Sequence, residues 1–119
     1  MEKRSSQLLK GVLDMCLLAL ISEEPSYGYE MVRKMQQRGL ELVGEGSIYP
    51  LLSRLEKAGY IEGYLMPSRE GPKRKYYRIL PAGQEQLQAW AAEWFTFAGG
   101  VGTVLRAAGI EGGSGFEKT

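Results

Sequence analysis

One stretch of sequence decides the fold of this 119-residue chain: residues 46–61 read GSIYPLLSRLEKAGYI, and a basic segment, KRKYYRI, follows at residues 73–79. In the first segment the apolar residues recur at three- and four-residue spacing, which predicts a helix with one buried face. These residues are Ile48, Leu51, Leu52 and Leu55. Gly59 ends the pattern, as glycine commonly does after a helix. The aromatic and cationic segment that follows predicts a β-hairpin with a positively charged returning strand.

The opposite face of this predicted helix is small, polar and cationic. It carries Ser47, Pro50, Ser53, Arg54 and Lys57. Pro50 is compatible with a helix because it stands in the first turn, where its missing N–H would have no partner. Such a face suits the base edges and phosphates of DNA, although an ordinary amphipathic surface helix has the same pattern. The small side chains and the basic segment that follows favour the recognition role.

The remaining sequence predicts further helices and the two strands of the hairpin. The predicted elements are a helix from Ser5 or Ser6 to Ile21, a helix from Tyr27 to about Arg38, strands at residues 60–66 and 75–80, and a last helix starting near Pro81. Helices followed by a hairpin in this order predict a winged helix-turn-helix, which is mainly α with a small β-hairpin. Glycines at positions 99, 100 and 102 weaken the last helix, so its continuation beyond them stays open.

These elements predict a division into a winged-helix DNA-binding domain at residues 1–80, a C-terminal dimerisation helix at 81–108 and a flexible tail at 109–119. The first helix is apolar around most of its circumference, which predicts contact with a second subunit as well as with its own core. The last helix carries an aromatic face that would serve the same purpose. We therefore expect a homodimer.

Charge is informative only where it clusters, because the net charge of the whole chain is +1. Residues 69–78 hold five cations and one carboxylate, Glu70. A local cluster of this kind is what nucleic-acid binding requires, since each neutralised phosphate releases counterions. A solvated hairpin would carry the same charges. The cluster and the helix before it together favour DNA.

Several classes of chemistry are excluded for the single chain. There is no histidine, which removes the commonest general base and rules out a Ser-His-Asp triad and an ordinary zinc site. Cys16, the one cysteine, lies in an apolar run and is expected to be a buried, inert thiol. We predict that the chain is not an enzyme and that it holds no metal and no cofactor.

The apolar run at residues 12–21 is interrupted by Asp14 and is too short to span a membrane. The first residues lead into an amphipathic segment and do not resemble a signal peptide. We therefore expect a cytoplasmic protein with no membrane partner.

Trp90 and Trp94 are four residues apart and so share one face of the last helix. Core packing or a dimer interface is the ordinary role of such a stripe. An aromatic platform for a flat ligand is the sharper alternative. The two tryptophans can serve both roles if the dimer interface leaves an open pore.

The chain resembles the PadR family of bacterial transcriptional regulators over roughly residues 8–95. The matching segments are YGYE at residues 27–30, GSIYPLL at 46–52, RLEK at 54–57 with Gly59, and RKYYR at 74–78 ending at Gly83. The resemblance implies a homodimeric winged-helix repressor that an effector releases from its operator. The single C-terminal helix is similar to the small subgroup of the family.

Multidrug-sensing members of that subgroup imply a ligand site in a hydrophobic pore at the dimer centre. The tryptophan that lines the pore corresponds to Trp94, and a second pocket tryptophan corresponds to Leu65, so a full indole sandwich is not expected. Trp90 would partly take the place of the missing second tryptophan. The first-helix positions that match the pore wall are Gly11, Asp14, Met15 and Leu18. Asp14 would attract a cation there, or else be an ordinary exposed residue. The implied effector is a planar hydrophobic or aromatic molecule.

We expect double-stranded DNA as the partner, bound at a palindromic operator whose half-sites are spaced by about one helical turn or a multiple of it. The residues predicted to face the major groove or its phosphates are Ser47, Tyr49, Ser53, Arg54 and Lys57. Ser26 and Tyr27 would brace the DNA backbone at the start of the second helix. Lys73, Arg74 and Lys75 would reach the adjacent groove. The alternative is a winged-helix module that binds protein without specific DNA binding.

Overall fold

The structure is a computed structural model that describes residues 4–41 and 43–112. Within these residues, five helices and three strands follow one another. They are α1 (Arg4–Lys10), α2 (Leu13–Glu23), β1 (Ser26–Tyr27), α3 (Gly28–Gln37), α4 (Glu45–Lys57), β2 (Ile61–Met66), β3 (Arg74–Ile79) and α5 (Pro81–Ala107). Helices α3 and α4 form a helix-turn-helix, and β2 and β3 form the hairpin that follows it. The predicted winged helix is confirmed.

The first predicted helix is divided in two. Gly11 and Val12 form a turn between α1 and α2, held by hydrogen bonds from their N–H groups to the carbonyls three residues back. The two helices meet at a bend of 57°. Glycine is a weak helix former, and α1 buries none of its residues, so packing does not hold one straight helix across this point.

The sheet has three strands in the order β1-β3-β2, one more than the predicted hairpin. The hairpin register pairs Ile61 with Ile79 and Gly63 with Tyr77. The added strand, β1, is only two residues long, and it pairs antiparallel with β3 through Ser26↔Tyr77 and Tyr27↔Tyr76. Two residues are too few to show the alternation of apolar and polar side chains from which a strand is predicted. This pairing fastens the wing directly to the start of α3.

Helices α2, α3 and α4 each contribute one face to a common core. The core includes Leu17, Leu18 and Ile21 of α2, Met31 and Met35 of α3, and Ile48, Leu52 and Leu55 of α4. Val43, Ile61 and Tyr77 complete it from the connecting segment and the sheet. The apolar spacing of α4 correctly predicts its buried face, although Leu51 is only partly buried.

Three helices end on a glycine with positive φ, a conformation that other residues adopt only with strain. These glycines are Gly39, Gly59 and Gly109, with φ of 102°, 82° and 83°. In each case the next N–H bonds a carbonyl of the last turn, as Tyr60 N does to Leu55 O at 3.0 Å. Gly39 and Gly59 therefore confirm the predicted ends of α3 and α4.

The chain divides into two compact units, Met1–Leu87 and Gln88–Thr119. Helix α5 begins at Pro81, as predicted, and its first turns belong to the winged-helix unit. It continues unbroken to Ala107. The glycines at 99, 100 and 102 each cost only about 1 kcal/mol of helix stability and do not interrupt it. Of the predicted tail, residues 113–119 lie outside the described residues.

In the described part of the chain, no single helix combines the length and apolar character needed to cross a membrane. Only α1 and α2 taken together, across their bend, reach that length and composition.

Gly83 is buried where the first turn of α5 meets the start of β2. A Cβ at this position would clash with the backbone carbonyl oxygen of Tyr60 and lie 2.9 Å from Ile79 Cγ1. We expect Gly83→Ala to lower the free energy of unfolding by about 1–3 kcal/mol, the usual cost of overpacking. Urea denaturation at a fixed protein concentration measures it. Gly46→Ala is the control, because no atom lies within 4 Å of its Cβ. Equal stability of Gly83→Ala and wild type would contradict the prediction.

Candidate nucleic-acid interface

Packing of α4 leaves its polar face exposed. Ile48 and Leu52 are fully buried and Leu55 is 4% exposed, so the opposite side of the helix must face solvent. The exposed side carries Ser47, Pro50, Ser53, Arg54 and Lys57. None of these side chains makes a hydrogen bond or ion pair with another residue of the described ranges. Their polar groups are therefore available to a ligand.

Glu56 joins α4 to both strands of the wing. Its carboxylate accepts a hydrogen bond from the Gly63 N–H at 3.1 Å and forms an ion pair with Lys75 Nζ at 3.4 Å. The approach is close because residue 63 has no side chain: a Cβ there would clash with Lys75 Cε and lie 3.1 Å from Glu56 Oε2. These contacts connect the wing to α4.

The wing cations fall into two groups. Lys75 is paired with Glu56, and Arg78 is paired with Glu62 at 2.9 Å. Arg69, Lys73 and Arg74 have no carboxylate within ion-pair distance among residues 4–41 and 43–112. An ion pair already satisfied inside the protein leaves less charge for phosphate. Of the three wing cations predicted to reach DNA, Lys75 is therefore the least available.

Tyr49 lies against the start of α3 instead of projecting freely from α4. Its ring covers Gly28, where a Cβ would be 2.6 Å from the Tyr49 hydroxyl oxygen. The hydroxyl donates a hydrogen bond to Glu45 Oε1 at 3.2 Å. Partial burial, and next the bond to Glu45, raise the pKa of Tyr49, so it is a neutral donor at pH 7. Tyr49 as a whole is 46% exposed, so part of it remains open to solvent.

The structure corrects the placement of Ser26. Its side chain is fully buried and donates a hydrogen bond to Glu24 O at 3.0 Å, because the residue belongs to β1. It neither caps α3 nor lies on the predicted DNA-facing surface. Tyr27 is the N-cap residue of α3, with extended backbone and no side-chain cap bond. Its ring is only partly buried and remains on the surface between helix and wing.

The fold and this arrangement lead to one family of proteins. A family model described as "Transcriptional regulator PadR-like family" matches residues 17–89. The chain belongs to the PadR-like family. PadR-like proteins are transcriptional regulators, which confirms the prediction that the chain is not an enzyme.

Solved structures of several bacterial transcriptional regulators have the same fold. The chain is similar to a PadR-like transcriptional regulator from Bacillus cereus, with 48% identity and a TM-score of 0.76 over 83% of this chain and 96% of that one. It is similar to a Streptococcus transcriptional regulator, with 37% identity and a TM-score of 0.73 over 87% and 98%. Bacillus subtilis PadR, solved in complex with operator DNA, shares the fold at 22% identity and a TM-score of 0.62 over 67% and 47%.

The predicted ligand residues lie in several different settings of this PadR-like chain. Leu18 is fully buried in the core, which corrects its placement on an open pore wall. Gly11 is exposed in the α1–α2 turn, and Leu65 is 62% exposed on β2, paired with Lys75. Asp14 and Met15 are half-buried, and the Asp14 carboxylate accepts a hydrogen bond from the Met15 N–H.

The two tryptophans lie on α5, in the second compact unit. Trp94 is 39% exposed, and Trp90 is less so. Cys16 is half-buried; burial first, and then the charge of Asp14, raise the pKa of its thiol. A raised pKa keeps the sulfur protonated at pH 7 and unreactive, in keeping with its expected inertness.

Sequence reasoning missed two residues that position this interface. Glu56 was absent from the predicted site because its partners, Gly63 and Lys75, are distant in sequence. Gly28 was absent because its role is to leave room for the ring of Tyr49. The RLEK and YGYE segments contain both residues, but no local pattern predicts which strand or ring each would meet.

The contact between Gly28 and Tyr49 predicts a coupled change. Gly28→Ala should displace the Tyr49 ring, since this partly exposed side chain can turn toward solvent more easily than α3, whose Met31 and Met35 are buried, can shift. Burial is the largest cause of the raised Tyr49 pKa, so the displaced hydroxyl should have a pKa closer to its ordinary value. NMR titration of tyrosine ring carbons measures this. Gly46→Ala, whose added Cβ would have no atom within 4 Å, is the control and should leave the raised pKa of Tyr49 unchanged. An unchanged Tyr49 pKa would refute the expectation.

Proposed function

We propose that this PadR-like regulator is a homodimeric repressor that reads DNA with the exposed face of α4 and with the wing. The observation that carries the proposal is the side of α4 bearing Ser53, Arg54 and Lys57, whose two cations have no carboxylate partner within the described ranges. A helix face with a small polar group beside two cations suits the major groove, where small side chains allow close approach and cations meet phosphates.

The wing supports the same proposal. The pairing of β1 with β3 and the contacts of Glu56 hold the wing beside α4, so that Lys73 and Arg74 can meet the backbone flanking the site that α4 reads. Bacillus subtilis PadR shares this fold and has been solved with operator DNA. In this chain, Ser47 and the exposed edge of Tyr49 would lie at the border of the same contact.

Dimerisation is supported by an exposed apolar stripe on α5. Large side chains recur at three- and four-residue spacing and are exposed: Trp94, Phe97, Val101, Val104 and Leu105. A contiguous apolar stripe of this length on a soluble helix marks an interaction surface. A second copy is the proposed partner, because a two-fold dimer presents two copies of α4 to a palindromic operator.

We further propose that a planar aromatic effector binds between subunits and releases the DNA. Support comes from Trp94, which is exposed on the stripe and offers a flat apolar surface for stacking. The effector must bind the released dimer more tightly than the DNA-bound one, because equal affinity for both would shift nothing.

DNA binding is tested by removing one charge from α4. Arg54→Ala should weaken binding to DNA from upstream of the chain's own gene by about 1–3 kcal/mol and reduce the salt slope by about one. Fluorescence anisotropy at several salt concentrations measures both. Arg38→Ala is the matched control: Arg38 is exposed on the same unit but paired with Glu23 at 2.6 Å, and its removal should change affinity by less than about two-fold.

Two outcomes would contradict the DNA-binding proposal. One is equal loss of binding in the two arginine variants. The other is binding by the wild type that does not depend on salt, which would favour a winged-helix module that binds protein.

Effector binding is tested at Trp94. A planar cationic dye should quench tryptophan emission of the wild-type dimer and weaken its DNA binding by about ten-fold, a typical coupling between sites. For Trp94→Ala, the ratio of the DNA affinities measured without and with the dye should fall to about one, whatever the basal affinity of the variant. Phe95→Ala is the matched control, since Phe95 is 71% exposed on a different side of α5. A dye response that survives Trp94→Ala would exclude Trp94 from the effector site.

A further inference from the structure

The outer face of the small sheet carries an alternating set of aromatic and cationic side chains. On β3 these are Arg74, Tyr76 and Arg78, and the strands on either side add Tyr27 and Tyr64. Two arginines lie over tyrosine rings: Arg74 Cζ is 4.6 Å from the ring centre of Tyr27, and Arg78 Cζ is 4.7 Å from that of Tyr64. Both distances are within the range of a cation–π interaction.

The two stacked pairs differ in charge. Arg78 donates a hydrogen bond to Glu62 Oε1 at 2.9 Å, so its charge is already matched inside the protein. Arg74 has the ring of Tyr27 beneath it and no carboxylate within ion-pair distance in the described part of the chain. The stacking of Arg74 therefore leaves its charge and its N–H donors available to a ligand.

Tyr27 is a rigid support for that charge. Its backbone pairs with Tyr76 in the sheet and at the same time forms the N-cap of α3. Its ring also meets the ring of Tyr76 edge to face, with centres 5.2 Å apart. A guanidinium resting on this ring is held at the junction of α3 and the wing, while an unrestrained arginine would sample many rotamers.

We propose that Tyr27 is a positioning residue for DNA binding: it holds the unpaired guanidinium of Arg74 toward the DNA phosphates by stacking, and it does not itself contact the DNA. This rests on the proposed function and deepens it. Restraining Arg74 before DNA arrives lowers the entropy that binding must remove. The expected effect is about two- to five-fold in DNA affinity, the range of a cation–π contact at an exposed site.

A double-mutant cycle separates this role from a direct contact. Tyr27→Leu should weaken DNA binding about two- to five-fold, and Tyr27→Phe, which keeps the ring, should restore wild-type affinity. In an Arg74→Ala background, Tyr27→Leu should have no further effect, because no guanidinium remains to be held. If the two losses add, Tyr27 touches DNA itself or acts only through folding, and the inference is wrong.

The second stacked pair provides the matched control. Tyr64→Leu removes an equivalent ring beneath Arg78, whose charge Glu62 neutralises, and should leave DNA affinity within about two-fold of wild type. An equal loss in Tyr64→Leu and Tyr27→Leu would show general damage to the sheet and overturn the inference.

Two further measurements keep the test decisive. In the free protein, the Arg74 side-chain protons should show ring-current shifts that Tyr27→Leu abolishes; absence of such shifts in the wild type would overturn the inference. If Tyr27→Leu fails to fold, Arg74→Lys keeps the charge but loses the flat guanidinium, and should weaken binding about two- to five-fold while Arg78→Lys does not. Equal binding by the two lysine variants counts against the inference.

Failure of the proposed function gives a different result. In that case the wild-type chain itself shows no salt-dependent DNA binding, and both the proposed function and the positioning role of Tyr27 are wrong. If the wild type binds DNA and Tyr27→Leu binds it with the same affinity, only the positioning role is wrong.

Discussion

Burial of one face of α4 is the constraint on which the rest of the interface depends. Ile48, Leu52 and Leu55 lie in the core, where each buried side chain is worth about 1.5–3 kcal/mol. Turning α4 by half a revolution would expose all three at a cost of about 5–9 kcal/mol, and would bury Arg54 and Lys57 without partners as well. The core therefore decides which side chains of the helix DNA can meet.

The wing gains its position from two contacts that are far apart in sequence. Glu56 ties α4 to Gly63 and Lys75, and the short strand β1 ties β3 to the start of α3. Together they place the unpaired cations of the wing beside α4 instead of leaving the hairpin to move on its own. The carboxylates matter equally, because Glu56 and Glu62 neutralise Lys75 and Arg78. Among the described residues this leaves Arg69, Lys73 and Arg74 as the wing cations without a carboxylate partner.

Local pattern was sufficient for most of the fold. The three- and four-residue spacing in α4, the glycines that end α3 and α4, and the aromatic strands of the hairpin each depend on neighbours in sequence, so the winged helix could be predicted. The break at Gly11–Val12 could not, because a weak helix former breaks a helix only where packing fails to hold it. The strand β1 could not be predicted either, since two residues are too few to show a periodic pattern.

What the sequence by itself determined is the chemistry available: no histidine, one cysteine, a polar and cationic side of α4, and a basic hairpin. Tertiary structure decided which of those groups are free to act. It buried Ser26 and Leu18, turned Tyr49 onto Gly28, paired Lys75 with Glu56, and laid Arg74 on Tyr27. The physical reason is that exposure and ion pairing depend on residues brought together from separate elements, and neither is encoded in local spacing.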